Sequence, residues 1–219
     1  MSRLQLVIGN KNYSSWSLRA WLALRKIGVE FDEIRIALYT AGHKDEIKHH
    51  APSGKVPILI DDGRAIWDSA AILEYLAEQQ RWLWPSDSGE RALARSLCAE
   101  MHSGFRALRS QFPMNCRAAP VRRVTPDAEA AADIGRIDAM WADCRERARK
   151  NGPWLFGTFT NVDAMYAPVA IRFSTYGVAL RPASAEYVAT VLTDEHIKAW
   201  YAAAARETET IAAFERGSV

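Results

Sequence analysis

A chain of 219 residues with 49% hydrophobic and 25% charged residues has a globular profile, with room for one large or two small packed units. Its net charge of +2 is too small to point to nucleic acid, no apolar run approaches the roughly 20 residues that cross a bilayer, and MSRLQLVIGN lacks the features of a secretory leader. Cys98, Cys116 and Cys144 are odd in number and form no C-x-x-C, which reads as reduced thiols in a cytoplasm, without structural disulfide or metal.

LQLVIG (4–9) reads as a buried strand, and the helix after it carries Leu18, Trp21, Leu22 and Leu24 at mixed three- and four-residue spacing up to Gly28. FDEIRIAL (31–38) alternates like a strand with one covered face. HKDEIKHH forms a short charged helix before Pro52, with His49 and His50 on the surface. VPILIDD and RAIWD flank the turn sequence Asp61-Asp62-Gly63 and read as an antiparallel hairpin. SAAILEYLAEQ (69–79) follows as a helix with Ile72, Tyr75 and Leu76 on one face. RWLWPSDSGE is the junction, its two tryptophans placed to dock against both halves. Beyond it, residues 87–112, 126–150, 161–178 and 193–215 have helical spacing, and 113–126 is the one long loop. The reading is a β-α-β-α-β-β-α unit over 1–80, a linker over 81–87 and an all-α bundle over 88–219. A parallel β-α-β start with an antiparallel hairpin after it is the order of the thioredoxin-like fold.

Three stretches carry chemistry. Tyr13-Ser14-Ser15-Trp16-Ser17 stands where a strand hands over to a helix, whose free N–H groups carry roughly half a positive charge. In the thioredoxin-like fold this turn holds a C-x-x-C; here Ser14-x-x-Ser17 contains no sulfur, so dithiol exchange is excluded. With no local histidine a serine is a poor nucleophile, but it can donate a hydrogen bond to a ligand's thiolate; the plain alternative is a helix cap. In SGKVPILI, Pro57 enters an edge strand and leaves the backbone of Val56 free to pair with an extended peptide. In WDSAAI, Ser69 can cap a helix whose N–H groups hold a carboxylate, while Asp68 pairs with an amine; again a plain cap is the alternative.

Taken in order and spacing, YSSWSLRAWLAL, HK…SGKVPILI and DSAAILEYL resemble the glutathione S-transferase superfamily in its serine-type branch (theta, zeta, tau). The resemblance runs through LWPSD to GTFTNVDAMYAP, which looks like the family's buried capping box, with Thr160 as N-cap and Asp163 three residues on. It implies glutathione as co-substrate, no metal, and Ser14 as the hydroxyl on the glutathione sulfur, with Ser15 competing. It places the cysteinyl unit on Val56 beside Pro57, the γ-glutamyl end on Asp68 and Ser69, and the glycyl carboxylate near His43, Lys44 and Lys55. The chain departs from the zeta pattern at Trp16, where those enzymes carry a cysteine, and at Asp68, where Glu or Gln is commoner.

Helping a thiol to ionise accelerates little by itself. Lowering a thiol pKa of ~8.5 by ~2 units raises the thiolate fraction about 25-fold at pH 7 and costs about 8-fold in nucleophilicity, so the electrophile's placement must supply the rest. Its pocket is expected between the halves, where 101–126 holds Arg106, Arg109, Arg117, Arg122 and Arg123 with no acid, near Phe105, and where Arg172 and Tyr176 fall four apart. A solvated basic face is the bland alternative, and Met101 and His102 read as core or interface. The leading expectation is a cytoplasmic glutathione transferase acting on a hydrophobic or partly anionic electrophile, a homodimer by resemblance, with no nucleic-acid or membrane partner. The alternatives are a glutathione-dependent cis–trans isomerase and a non-catalytic glutathione-binding or interaction protein.

Overall fold

The structure, a computed structural model, describes residues 4–118 and 123–217. The first half runs β1 (Leu4–Ile8), α1 (Ser15–Ile27), β2 (Phe31–Arg35), α2 (His43–His50), β3 (Ile58–Asp61), β4 (Arg64–Trp67) and α3 (Ser69–Gln79). Its sheet has the order β2-β1-β3-β4, with β1 parallel to β2 and both the β1–β3 and β3–β4 pairs antiparallel. This is the thioredoxin-like arrangement. Parallel pairing of β1 with β2 requires the α1 crossover, whereas Asp62 and Gly63, at φ 50° and 76°, supply the two left-handed positions of a tight hairpin turn between β3 and β4.

The second half is helical: α4 (Ser88–Ser103), α5 (Arg106–Gln111), α6 (Ala128–Ala148), α7 (Asn161–Thr175), α8 (Pro182–Thr193) and α9 (Glu195–Ala204). Its axis is α7, buried along its length except at Ser174 and packed against α1, α4 and α8. The expected capping box starts this helix: Thr160 N–H donates to Asp163 Oδ2 at 2.8 Å and Leu155 N–H to Oδ1 at 3.1 Å. One hydrophobic core runs unbroken from Leu6, Leu18 and Leu22 to Trp141, Tyr166 and Ile171. A smaller cluster, Val7, Ile36, Ile47, Ala51 and Ile58, seats α2 on the other side of the sheet. Helix α1 thus lies between α3 and α7, and its N-terminus emerges at the seam of the halves.

Four expectations are corrected. The helix read over 87–112 breaks between α4 and α5, because Phe105 takes φ 53° and a Cβ at Gly104 would sit 2.7 Å from the Glu100 carbonyl oxygen. The helix read over 193–215 stops at Ala204; residues 205–217 run as a strap with one short turn, Ala212–Phe214, since their polar groups bond to the first half rather than along a helix. Helix α8 is absent from the sequence reading: VATVLT is rich in β-branched residues, and the helix is held by burial of Tyr187, Val188 and Val191. Of the junction tryptophans only Trp84 docks, its indole donating to Glu74 at 3.2 Å; Trp82 is 46% exposed. Arg122 lies outside the described residues. Among the described residues no helix is long and apolar enough to cross a membrane.

Candidate active site

A cavity of about 880 Å³ opens at the seam, and α1 points its N-terminus into it. The Asn10 carbonyl accepts the Tyr13 and Ser14 N–H groups at 3.2 and 2.8 Å, a tight turn that delivers Ser14 as the N-cap of α1. No acidic side chain stands in the first turn, so the positive end of the helix is left for something else to neutralise. The Ser14 hydroxyl accepts the Ser17 N–H at 3.4 Å and lies 2.8 Å from the Ser17 hydroxyl, which itself accepts the Gly9 N–H at 3.0 Å. The Ser15 hydroxyl accepts from Arg172 Nη2 at 3.2 Å. Both serines line the cavity, more than nine-tenths buried.

Two further walls come from the first half. Val56 and Pro57, joined by a cis peptide bond, line one together with Lys55, His43 and Lys44. The other is the start of α3, where Asp68 adopts φ 76° and caps the helix through Oδ1, 2.8 Å from Ala70 N–H. Ser69 follows, its buried hydroxyl without a hydrogen-bond partner among the described residues. This helix too has no acid in its first turn.

The helical half closes the cavity with Arg109, Pro113, Met114, Arg172 and His102. Arg172 is fixed by bonds from Nε to the Phe112 carbonyl at 2.7 Å and from Nη1 to the Pro168 carbonyl at 3.3 Å. Burial pushes its guanidinium down to about 10, with Arg109 adding to the effect. Arg109 is lowered by partial burial and lies 5.4 Å from the Trp16 ring. Arg19 stacks on that ring at 4.3 Å, wholly buried, with Nε and Nη1 unpartnered among the described residues. Burial, then Arg172 and Arg109, push it down to about 9. None of the three has a carboxylate within salt-bridge distance among the described residues, where the ion pairs formed by arginine involve Arg25, Arg35, Arg95, Arg136, Arg149 and Arg181.

Three residues expected in the second-substrate pocket do not line it. Phe105 is buried in the α4–α5 break, Arg106 points away from the cavity to solvent, and Tyr176 turns inward to donate to the Pro113 carbonyl at 2.9 Å. Tyr176 instead braces the loop that presents Pro113 and Met114. Arg117 also serves a different end, bonding the Glu207 and Glu209 carbonyls of the strap. Sequence reasoning does not reach Tyr39, Met114 or Phe214, which line the cavity from loops with no periodicity to reveal them, and it places His102 in core or interface rather than on the cleft. Among the described residues no group of three His, Cys, Asp or Glu side chains could hold a metal ion.

Comparison with known proteins supplies the context. The family model for the glutathione S-transferase N-terminal domain matches residues 13–79, and that for the C-terminal domain matches 127–203; between them they take in more than half of the chain. A probable maleylacetoacetate isomerase of Caenorhabditis elegans is 35% identical over 96 residues, 43% of this chain and 44% of that protein. Glutathione S-transferase T2 of Arabidopsis thaliana is 32% identical over 126 residues, 54% of this chain and 21% of that one. The chain spans less than half the length of either relative. A glutathione transferase homolog from Burkholderia, solved with bound glutathione, superposes with TM-score 0.71 over 94% of this chain and all of its own, at 20% identity. A tau-class glutathione S-transferase of mango gives 0.68 over 91% and 92%, at 19% identity.

Proposed function

The chain belongs to the glutathione S-transferase superfamily, and from that premise we propose that it is a glutathione transferase whose two serines hold the glutathione thiolate at the head of α1. One observation carries this reading: each hydroxyl already accepts a hydrogen bond from an N–H group and has a hydrogen of its own to offer a ligand. The Ser17 N–H donates to Ser14, and Arg172 donates to Ser15. Two O–H donors, the unneutralised helix end and a buried guanidinium then line one cavity, an arrangement that favours an anion. Around them Val56 supplies backbone for the cysteinyl unit, Asp68 and Ser69 the γ-glutamyl pocket, and His43, Lys44 and Lys55 the counter-charges for the glycyl carboxylate. The unpartnered Ser69 hydroxyl and the acid-free start of α3 suit a ligand carboxylate.

The thiolate would attack an electrophile held against Trp16, Met114, Arg109 and Arg172. Desolvated guanidinium groups without carboxylate partners favour a second substrate that carries an anionic group. They also support the second reading, glutathione-dependent cis–trans isomerisation of an unsaturated carboxylic acid, as the names of several relatives indicate. In the proposed organisation residues 1–80 hold glutathione, 81–87 connect, and 88–219 complete the electrophile pocket. A homodimer is supported by membership of the family alone, and a cytoplasmic setting by three unpaired cysteines. The test is calorimetric titration with glutathione while the ultraviolet absorbance of the bound thiolate is followed against pH. Ser14→Ala and Ser15→Ala are each expected to raise the bound thiol's pKa by about one unit with affinity held. An electrophile and its methyl ester then separate the readings, since preference for the free acid supports the arginine site. Tight binding with an unshifted thiol in the wild type would leave only a glutathione-binding module.

A further inference from the structure

We infer that His102 is a positioning residue for the γ-glutamyl end of glutathione, acting through Asp68; the inference rests on the function proposed above. His102 lies in the last turn of α4, on the helical half, and its Nε2 stands 3.2 Å from Asp68 Oδ2 across the cleft. The two groups lie within ion-pair distance, a contact that ties a side chain of the helical half to the first half. The other Asp68 oxygen is spent on the Ala70 N–H at 2.8 Å. One oxygen is therefore set by the helix that Asp68 caps, and the other lies against a side chain from the opposite domain. Asp68 needs this more than a longer residue would: its left-handed backbone at φ 76° points a short arm, and a second anchor sets where its charge lies.

His102 is itself held. Trp16 stands edge-on to the imidazole, ring centroids 5.4 Å apart and 79° between planes, and Arg19 and Arg109 flank the indole. Nδ1 is buried with no hydrogen-bond partner among the described residues, so Nε2 to Asp68 is the polar contact that orients the ring. The Trp16 side chain thus links the serine turn to the γ-glutamyl pocket: Ser15, Trp16, His102 and Asp68 are consecutive contacts along one wall of the cavity. A ligand ammonium docking on Asp68 meets a carboxylate already aimed, which lowers the ordering cost of binding.

The experiment is calorimetry on the full chain with two probes, glutathione and its analogue in which hydrogen replaces the α-ammonium, for wild type, His102→Ala, His102→Gln and Asp68→Asn. His102→Ala is expected to weaken glutathione about two- to fivefold, the loss of a partly exposed contact to a charged group. His102→Gln, which retains an N–H donor, should recover most of that loss. The deamino analogue should bind wild type and His102→Ala alike, and His102→Ala should add nothing on top of Asp68→Asn. The inference is overturned if His102→Ala binds glutathione like wild type, or weakens both probes by the same factor. Wild type that binds neither probe would overturn the proposed function itself, a result distinct from both.

Discussion

Asp163 is a carboxylate wholly inside the helical half, and burial raises its pKa to about 6 although the Leu155 and Thr160 N–H groups and the Thr160 hydroxyl all favour the charged form. An unfolded aspartate titrates near 3.9. The folded state therefore binds the proton more tightly than the unfolded one, and this group's contribution to stability is fully present below about pH 4 and is lost as pH rises through about 6. The loss is on the order of 2–3 kcal/mol. Asp163→Asn titrates in neither state, so the unfolding free energy of wild type should fall relative to that of the variant between pH 4 and pH 7. Urea unfolding at a series of pH values reads the difference, in which every other titrating group cancels. Parallel curves would mean that Asp163 stays charged throughout.

At the scale of elements the strap over 205–217 matters more than its irregularity suggests. Its Glu207 carboxylate accepts the Lys11 and Asn12 N–H groups at 2.7 and 3.0 Å, and Glu215 accepts from the Tyr13 hydroxyl at 2.6 Å, so it grips the very loop that positions Ser14. Phe214 meanwhile lines the cavity beside Tyr13 and Tyr39. The two jobs predict separable effects. Phe214→Ala should raise KM for a hydrophobic second substrate about three- to tenfold and leave glutathione affinity within about twofold, since roughly half a buried aromatic surface is lost. Glu207→Ala should weaken glutathione as well, because two backbone donors beneath Ser14 lose their acceptor. Steady-state kinetics with both substrates varied would show the split, and equal effects of the two variants would refute it. This strap also marks where the sequence stops being legible. The serine turn, Val56-Pro57 and Asp68-Ser69 can be read because each is local: a cap, a proline before a strand, a helix start. The edge position expected for Pro57 is wrong, since β3 pairs with β1 on one side and β4 on the other. Phe214 and His102 cannot, because what brings them to the cavity is a tertiary path with no period of its own. Tyr176 is misread for the opposite reason; it shares a helical face with Arg172, but a carbonyl at Pro113 claims its hydroxyl.

The whole molecule behaves as one body with two textures. Helix α1 is buried from Ser17 to Leu24, with the thioredoxin-like half on one side and α7 on the other. Polar ties cross the same seam: Asn161 Nδ2 to the Leu73 carbonyl at 3.0 Å, the Trp200 indole to the Lys11 carbonyl at 2.8 Å, and Lys26 to Asp194. Separating the halves would part Trp21 from Trp200 and expose the α1 face that packs on α7, at a cost of about 1.5–3 kcal/mol for each fully buried side chain uncovered. It would also strand buried amide and indole donors. Neither half is then stable without the other, and the chain should unfold in a single cooperative transition. Calorimetry would show one peak whose measured enthalpy matches the van't Hoff value, and two resolved peaks would refute the shared core. Glutathione sharpens the test. The serine turn, Val56 and Asp68 belong to the first half, yet saturation at a hundred times Kd should raise the stability of the entire chain by about 2.7 kcal/mol. If only an early-melting fraction moved, the cavity at the seam would be joining two domains that fold apart.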